Sequence, residues 1–314
     1  MLVDAAVLPL DPLVGTPYQA RVSIGSGYTS EVYEAKGPGG ETLAIKVLPI
    51  AFRDSQEAKG RLLQEGRILA SVRHPNLVPL RDIGMTRDGR PFLAMPRLQG
   101  ATLRHFLDKH GPLSPSLAID LVVDGLLGLH AAHRYGVVHR DVKPSNIFVE
   151  QSRGSARRAT MIDFGIAKVH GVFAHQTTAN HLLGTPKYAA PEQILGGRVD
   201  ARTDVYAMGI VLFECIACRW PFEVLAGASV QEIMRAHVAF TPRRLDEVSP
   251  ASNALANVVA QALEKRPSRR FPSALAFAMA LRAVQTFPRP PSSPTARNAR
   301  TAPAARAALE GSVA

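Results

Sequence analysis

The chain contains 314 residues, of which 46% are hydrophobic and 20% are charged. This length and composition allow one bilobed unit or two modest domains with a buried core, and they exclude a fibrous or wholly disordered protein. The formal net charge of +11 favours anionic partners, such as nucleotide phosphates, acidic proteins or nucleic acid, and does not distinguish among them.

The first part of the chain has the pattern of a small sheet with one helix. Residues 1–17 contain three prolines and are predicted to form a lead-in, with ordered structure beginning near Tyr18. Strand-like runs separated by turns predict a β-meander over 18–24, 31–35 and 42–48. Helical spacing of apolar residues predicts a helix over 55–72, and two short strands are expected at 77–83 and 91–95.

Beyond Gly100 the predicted structure is mainly helical. Apolar residues recur at helical spacing over 117–135, 204–217, 229–238, 251–264 and 273–284. A β-rich small domain therefore precedes a larger helix-rich one, which makes the fold class α+β. Residues 285–314 are rich in Pro, Ala and Arg, and we predict a disordered tail there.

A glycine-rich motif lies between the first two predicted strands. The segment reads IGSGYTSEVY and fits the phosphate loop G-x-G-x-x-G-x-V, with Ser30 in place of the third glycine. A strand on each side favours this loop over a dinucleotide-binding fingerprint, in which a helix follows the glycines. Taken alone, the motif is explained equally well by a plain β-hairpin. The candidate nucleotide-binding residues here are Ile24, Gly25, Ser26 and Gly27, because glycine lets backbone amides approach phosphates closely.

A lysine on the third predicted strand belongs to a second motif. The sequence LAIK ends at Lys46 and fits V-A-I-K, whose lysine contacts the α- and β-phosphates of a nucleotide. A carboxylate must hold that ammonium in place, and Glu65 on the following helix is the matching residue.

The most specific motif is HRDVKPSN at 139–146, which fits H-R-D-x-x-x-x-N at every defined position. Asp141 is the candidate catalytic base for a hydroxyl, and Asn146 is a candidate ligand of Mg²⁺ or Mn²⁺. Asp163, in the sequence DFG, is the candidate bridge between the metal and the β- and γ-phosphates of ATP. Together with Lys46 and Glu65, these residues supply the positioning and charge neutralisation that phosphoryl transfer requires.

The sequence APE at 190–192 completes a series of motifs in the expected order. Over roughly 18–284 the chain resembles the protein kinase catalytic domain, most closely the eukaryotic-like serine/threonine kinases of bacteria. The resemblance implies a bilobed fold, with a small antiparallel N-lobe sheet and one main helix at 18–95, a hinge at 96–99 and a mostly helical C-lobe at 100–284. It also implies transfer of the γ-phosphoryl group of Mg-ATP to Ser or Thr hydroxyls of protein substrates.

The resemblance implies further roles for individual residues. Met95 would be the gatekeeper beside the adenine, and the Pro96 carbonyl and the Leu98 backbone would bond to the base. The purine ring would lie between the side chains of Val32, Ala44 and Phe148. Outside the nucleotide pocket, Asp204 would anchor the backbone of the catalytic loop, Arg270 would pair with Glu192, and a lobe-bridging apolar spine would contain Leu69, Leu80, His139 and Phe164.

The same resemblance implies which side chain accepts the phosphoryl group and how the activity is regulated. Lys143 is the residue typical of serine/threonine kinases, and Thr185 would lie near Asp141 and Lys143. Arg140 implies control by phosphorylation, because a phosphate on the activation segment would neutralise its charge. Thr177 and Thr178 are the predicted phosphate acceptors, although they are also explained as exposed loop threonines. Autophosphorylation in trans would require self-association of the chain.

Three other functions are less well supported by the sequence. A pseudokinase usually lacks the equivalents of Lys46, Asp141 or Asp163, all of which are present. A small-molecule kinase of the aminoglycoside or choline type generally lacks the arginine of HRD and the APE sequence. A nucleic-acid-binding protein would explain the charge and the arginine group Arg153, Arg157 and Arg158, but no aromatic residues alternate with these arginines, and we disfavour nucleic acid as a partner.

Cysteine content and hydropathy bear on the cellular compartment. Cys215 and Cys218 are too few for a secreted disulfide scaffold, which favours a reducing compartment. Their C-x-x-C spacing is compatible with a redox or metal site, but they follow an apolar helical run and no second ligand pair exists, so we predict core residues. No signal peptide and no membrane-spanning run of ~18 apolar residues is recognised. A cytoplasmic protein without a membrane segment is therefore expected.

Overall fold

The computed structural model describes residues 11–27, 30–151, 157–164, 186–225 and 227–286. The N-terminal part contains a five-stranded antiparallel sheet with strand order β1-β2-β3-β5-β4. Its strands are β1 (Gln19–Ser26), β2 (Glu31–Lys36), β3 (Thr42–Val47), β4 (Asp82–Met85) and β5 (Pro91–Pro96). The C-terminal part adds a three-stranded sheet of β6 (Gly100–Thr102), β7 (Ile147–Gln151) and β8 (Arg157–Met161).

The remaining elements are helices. They are α1 (Gln56–Ser71), α2 (Leu103–His110), α3 (Pro115–His133), α4 (Pro191–Ile194), α5 (Ala201–Ala217), α6 (Val230–Ala239), α7 (Leu245–Val248), α8 (Asn253–Ala262) and α9 (Ala274–Thr286). Among these helices, α1 is the one that belongs to the N-terminal part. The predicted α+β fold, with a small antiparallel sheet, one main helix and a larger helical lobe, is confirmed.

The alternation of side chains explains how β2 and β3 present functional groups on one face. Tyr33 and Ala35 on β2, and Ile45 on β3, are buried in a small core on the outer side of the sheet. Because successive side chains of a strand point to opposite faces, Val32 and Lys46 face the other way. These two residues are direct partners in the β2–β3 ladder.

Helix α1 packs closely on the sheet because of a glycine. The Ser55 hydroxyl caps its first turn by accepting a hydrogen bond from the backbone N–H of Ala58 at 3.2 Å. A Cβ at Gly66 would lie 2.5 Å from Ile83 Cδ1 and 2.5 Å from Leu93 Cδ2. The absence of a side chain at Gly66 therefore sets the distance at which the neighbouring Glu65 approaches the sheet.

The C-terminal part is built around two buried helices. Helix α3 packs against α5 and α9, and most of the side chains of α5 are buried. Contrary to the sequence-based expectation, α3 is long and apolar enough to cross a membrane by length and composition, with 19 residues and a mean hydropathy of 1.3. Its apolar composition is explained by its position, since 56% of that apolar stretch is buried inside the protein.

Several sequence-based boundaries need correction. Structure begins before Tyr18, because Leu13 is fully buried with Tyr18 and Phe92 in the outer core of the sheet. The strand predicted at 77–83 lies instead at Asp82–Met85, and helix α2 was not predicted. The prediction that both cysteines are core residues is wrong for Cys218, which is exposed. It follows the last residue of α5 and adopts a left-handed conformation with φ 48°.

Candidate active site

A lysine and two carboxylates meet between the lobes. Lys46 Nζ lies 2.7 and 2.9 Å from the two carboxylate oxygens of Glu65 and 3.0 Å from Asp163 Oδ1. Burial alone would lower the pKa of Lys46, but the charges of Asp163 and Glu65 outweigh burial and raise it. The predicted pairing of Lys46 with Glu65 is confirmed, and the ammonium remains charged at neutral pH.

The catalytic loop is anchored by a buried aspartate of α5. Asp204 Oδ2 accepts a hydrogen bond from the His139 backbone N–H at 2.8 Å, and Asp204 Oδ1 accepts one from the Arg140 N–H at 2.9 Å. Burial opposes ionisation of Asp204, but hydrogen bonds from His133 and the loop hold its pKa below the usual value. The predicted anchoring role of Asp204 is therefore confirmed. The two hydrogen bonds hold Arg140 in a left-handed conformation with φ 64°.

His133 is a part of this anchor that the sequence did not reveal. Its Nε2 lies 2.7 Å from Asp204 Oδ2. The two residues are far apart in sequence, and they meet because α3 and α5 pack together. The only local signal is a histidine in the last turn of an apolar helix, which is too common a pattern to indicate a partner.

Three predicted site residues converge on one side of the loop. Lys143 Nζ lies 2.8 Å from Asp141 Oδ2. Asn146 Nδ2 donates to the Asp141 backbone carbonyl at 2.9 Å and to Asp141 Oδ2 at 3.2 Å. The Asp141 carboxylate is thus held by an ammonium and an amide of its own loop, and these two contacts fix its direction.

Asn146 and Asp163 supply a partial ligand set for a divalent cation. The Asn146 backbone carbonyl accepts a hydrogen bond from the Ile162 N–H at 2.9 Å. Because Asp163 directly follows Ile162, this bond brings Asn146 and Asp163 close together. Within the described residues, no cluster of three or more His, Cys, Asp or Glu side chains could hold a metal by itself. Mg²⁺ typically binds one or two protein oxygens together with phosphates and water, so two oxygen ligands fit a metal that arrives with a nucleotide.

A cavity of about 400 Å³ opens beside these groups, between the glycine-rich turn and the hinge. Most of the predicted nucleotide-binding residues line it, namely Ile24, Gly25, Val32, Ala44, Met95, Pro96, Leu98, Phe148 and Asp163. Ser26 ends β1, and the Gly27 N–H donates to the Ser30 carbonyl in the adjoining turn. A cleft lined by apolar side chains, with Asp163 among its few polar groups, suits a base with attached phosphates.

Sequence reasoning missed several residues of this cavity. Val78, Thr102, His105, Ser145 and Ile162 also line it, as does Arg97 of the predicted hinge. Thr102 caps α2 by accepting from the His105 N–H at 3.3 Å, so recognising α2 would have placed both residues at the cavity. Arg97 Nε lies 3.2 Å from Glu34 Oε2, which links the hinge to β2.

The segment that follows the undescribed residues 165–185 is tied to the C-terminal lobe. Arg270 forms two hydrogen bonds to the Glu192 carboxylate at 2.7 and 2.8 Å, which confirms the predicted pair. Gln193 Nε2 donates to the Arg140 carbonyl at 3.0 Å. This segment therefore lies directly against the catalytic loop. The predicted regulatory residues Thr177, Thr178 and Thr185 lie outside the described residues.

Of the predicted spine residues, Leu69, His139 and Phe164 are buried and Leu80 is partly buried. The rings of His139 and Phe164 are 4.8 Å apart between centroids. Arg140 has a second neighbourhood, since it lines a cavity of about 450 Å³ together with Arg67 and Tyr135. Arg67 belongs to α1, so this cavity lies between the N-terminal helix and the catalytic loop.

The fold and these side chains define the class of bilobed kinase-like proteins. The family model described as the protein kinase domain matches residues 18–281, and the chain belongs to that family. The family resemblance inferred from the motifs is therefore confirmed.

Curated relatives are bacterial serine/threonine-protein kinases. Pkn1 of Myxococcus xanthus is 36% identical over 276 residues, covering 86% of this chain and 39% of that protein. PkaB of Streptomyces coelicolor is 35% identical over 262 residues, covering 82% of this chain and 60% of that protein. The chain thus spans about half the length of the curated relatives it matches.

Solved structures support the same fold. The kinase domain of Mycobacterium tuberculosis PknI, in a double-mutant form, matches with a TM-score of 0.68 and 25% identity over 91% of this chain and 100% of that chain. Rad53 in complex with AMP-PNP matches with a TM-score of 0.68 over 87% of this chain and 66% of that chain. At 20% identity, the second match bears on the fold alone.

Proposed function

We propose that this chain is a serine/threonine protein kinase that transfers the γ-phosphoryl group of Mg-ATP to Ser or Thr hydroxyls of protein substrates. The observation that carries the proposal is the junction of Lys46, Glu65 and Asp163, with Lys46 Nζ within 3.0 Å of both carboxylates. The buried Lys46 ammonium contacts Asp163, which lines the cavity, and a cation in this position suits the phosphates of a bound nucleotide. The kinase names of the curated relatives support the same reaction.

The nucleotide would occupy the cavity of about 400 Å³. Val32 and Ala44 from the sheet and Phe148 from β7 line it, so they would hold the purine between apolar surfaces. Met95, Pro96 and Leu98 would border the adenine edge, and the Pro96 carbonyl keeps its acceptor although proline has no N–H. Ile24, Gly25, Ser26 and Gly27 would cover the phosphates.

Lys46 would orient the α- and β-phosphates, and Glu65 would hold Lys46 in place. Asn146 and Asp163 would be the protein ligands of Mg²⁺, or of Mn²⁺, which supplies positive charge to the β- and γ-phosphate oxygens when bound. The exposed fraction of the Asp163 side chain is 39%. One of its oxygens contacts Lys46, so this carboxylate would join the lysine to the metal.

Asp141 would orient the substrate hydroxyl and accept its proton. The acceptor oxygen would form a bond to the γ-phosphorus as the bond between that phosphorus and the β,γ-bridging oxygen breaks, and ADP would leave. Lys143, 2.8 Å from Asp141, would offset the charge that develops on the transferred group. Thr185 would border the acceptor, as expected for a serine/threonine kinase.

Regulation would act through Arg140. We propose that autophosphorylation of Thr177 or Thr178 provides a phosphate that pairs with Arg140, which is tied to α5 by Asp204 and to α4 by Gln193. Reaction in trans requires two copies, so the autophosphorylation rate should rise with protein concentration. Mass spectrometry after incubation with Mg-ATP should find phosphate on Thr177 or Thr178, and an unmodified segment in an active enzyme would remove this part of the proposal.

We propose an N-lobe that runs to residue 95 and includes the segment from Leu13 onwards, a hinge at 96–99 and a C-lobe at 100–284. Use of ATP as the phosphoryl donor supports a cytoplasmic site of action for this domain.

Radiolabelled phosphoryl transfer from ATP to a generic basic protein tests the proposed function. Wild type should label the acceptor, and Lys46→Met should reduce the rate by at least about a hundredfold, because the phosphates lose their orienting charge. Lys109→Met is a matched control, since Lys109 is exposed at the end of α2, and it should keep the wild-type rate. Absence of transfer by the wild type would instead indicate a pseudokinase.

A further inference from the structure

The hinge contains an arginine whose side chain connects it to the sheet. Arg97 lines the nucleotide cavity, and so does its neighbour Leu98. The Nε atom of Arg97 lies 3.2 Å from Glu34 Oε2, and its Nη1 donates a hydrogen bond to the Leu98 backbone carbonyl at 2.8 Å. One guanidinium therefore joins a carboxylate of β2 to the backbone of the hinge.

The strand register explains why Glu34 can reach this position. Glu34 lies two residues after Val32 on β2, so the two side chains are on the same face of the sheet. Its direct partner in the β2–β3 ladder is Ala44, and direct partners in a ladder also share a face. Val32 and Ala44 both line the nucleotide cavity. The carboxylate that holds Arg97 therefore borders the two side chains proposed to contact the purine.

The Leu98 carbonyl is the hinge group that a bound adenine would leave unused. In the proposed complex, the Pro96 carbonyl would accept a hydrogen bond from the 6-amino group, and the Leu98 N–H would donate to N1. The next atom along that edge of the base is C2, which carries only a hydrogen atom in adenine. The next polar group along the hinge is the Leu98 carbonyl. Adenine therefore needs no bond to this carbonyl, which leaves it available to Arg97.

A purine with an amino group at C2 would meet a different environment. If the Leu98 carbonyl were free, it could accept a hydrogen bond from this amino group. In this protein it already accepts a charge-assisted hydrogen bond from Arg97, which is stronger than one from a neutral donor. A carbonyl oxygen can accept two bonds, but a second donor would have to approach beside a guanidinium that Glu34 holds in place. A 2-amino group would therefore lose hydrogen bonds to water without replacing them, which costs free energy.

We propose that Arg97, positioned by Glu34, is a specificity-determining residue that selects adenine by excluding purines with an amino group at C2. The inference rests on the proposed kinase function, and it concerns the choice of nucleotide and not the transfer step. The side chains of Arg97 and Glu34 are 27% and 30% exposed, and ion pairs at such sites contribute little to stability. The pair therefore acts by placing a cation at the Leu98 carbonyl and not by stabilising the fold.

Binding of ADP and of 2-aminoadenosine diphosphate, each with Mg²⁺, tests this inference by isothermal titration calorimetry. The two nucleotides differ only in the 2-amino group, and neither has a γ-phosphoryl group to transfer during the titration. For the wild type, the Kd of the 2-amino nucleotide should exceed that of ADP by roughly tenfold, as expected when a buried donor is left without a partner.

Two variants remove the cation or its support. In Arg97→Met the Leu98 carbonyl is free to accept the 2-amino group, and the ratio of the two Kd values should fall to about one or below. In Glu34→Gln the guanidinium keeps its charge but loses its fixed position, so the ratio should fall to about threefold. Arg53→Met is the control and should keep the wild-type ratio. Arg53 is an exposed arginine paired with Asp54, and it is not among the described residues that line the cavity.

The outcomes separate this inference from the proposed function. The same ratio in the wild type and in Arg97→Met, or equal Kd values for the two nucleotides in the wild type, would overturn the role of Arg97 and leave the kinase assignment intact. An unchanged ratio in Glu34→Gln would overturn the positioning role of Glu34. Failure of the wild type to bind either nucleotide would overturn the proposed function as well. Because each ratio is measured within one protein, a general loss of affinity or stability in a variant affects both nucleotides and leaves the ratio unchanged.

Discussion

The Asp204 carboxylate on α5 accepts a hydrogen bond from the backbone N–H of Arg140 at 2.9 Å. This contact fixes the residue that directly precedes Asp141, the proposed catalytic base. Asp204 also accepts a hydrogen bond from the backbone N–H of the neighbouring His139. The most deeply buried helix of the larger lobe therefore determines the backbone conformation of the catalytic loop, including the positive φ of Arg140.

Replacing Asp204 should impair both stability and transfer. In Asp204→Asn an amide group takes the place of one carboxylate oxygen and cannot accept the loop N–H. We expect the free energy of unfolding to fall by about 3 kcal/mol and kcat to fall at least about tenfold. Chemical denaturation and steady-state kinetics measure the two effects. Asp200→Asn is the control, because Asp200 caps α5 and asparagine is an equally good cap.

The two glycines of α1 should respond in opposite ways to alanine. Gly60 is exposed and a Cβ there would meet no atom within 4 Å, whereas a Cβ at Gly66 would contact Ile83 and Leu93 at 2.5 Å. Gly60→Ala should stabilise the protein by about 1 kcal/mol through helix propensity. Gly66→Ala should be less stable than Gly60→Ala by about 2 kcal/mol and should raise KM for ATP, since it displaces the neighbouring Glu65. Equal thermal stabilities of the two variants would contradict the packing of α1 described above.

A buried histidine should make stability depend on pH. Burial, followed by the charge of Lys265, lowers the pKa of His237 from 6.5 to about 3. Between those values the unfolded chain binds a proton that the folded protein excludes, so stability falls as pH falls below 6.5. From pH 6.5 to pH 5 the loss attributable to His237 should be about 1.5 kcal/mol.

His237→Gln isolates this effect. Glutamine can keep the contact of His237 Nδ1 with the Tyr206 hydroxyl, which is 3.0 Å long, but it does not titrate. The variant should lose less stability than the wild type over the same pH interval, as measured by urea denaturation at each pH. The same pH dependence in both proteins would show that His237 is not the titrating group.

The catalytic motifs were predictable because each lies within a short stretch of sequence. Asp141, Lys143 and Asn146 share one loop, and their mutual contacts follow from that spacing. Lys46 and Glu65 were predictable for a different reason. Lys46 ends a motif on a predicted strand, and its carboxylate partner was expected on the helix that follows. Helices α1, α3 and α5 were found because their apolar periodicity extends over several turns.

The features that escaped sequence reasoning depend on tertiary packing. Glu34 and Arg97 lie on separate segments, and nothing in the local sequence of either one indicates the other. Helix α2 was missed because it spans only Leu103–His110, which is too short for a clear period. The burial of Leu13 was missed because the prolines around it indicated an irregular segment, and an irregular segment can still pack on a sheet.

The central claim is tested most directly by measuring nucleotide binding and single-turnover phosphoryl transfer in wild type and Asp141→Asn. Asp141 contacts Lys143 and Asn146 and is not among the residues that line the nucleotide cavity. We predict that the variant binds a non-hydrolysable ATP analogue within about twofold of the wild-type Kd, while transfer to a Ser/Thr acceptor slows by roughly a hundredfold or more. Transfer by Asp141→Asn at the wild-type rate would contradict the account.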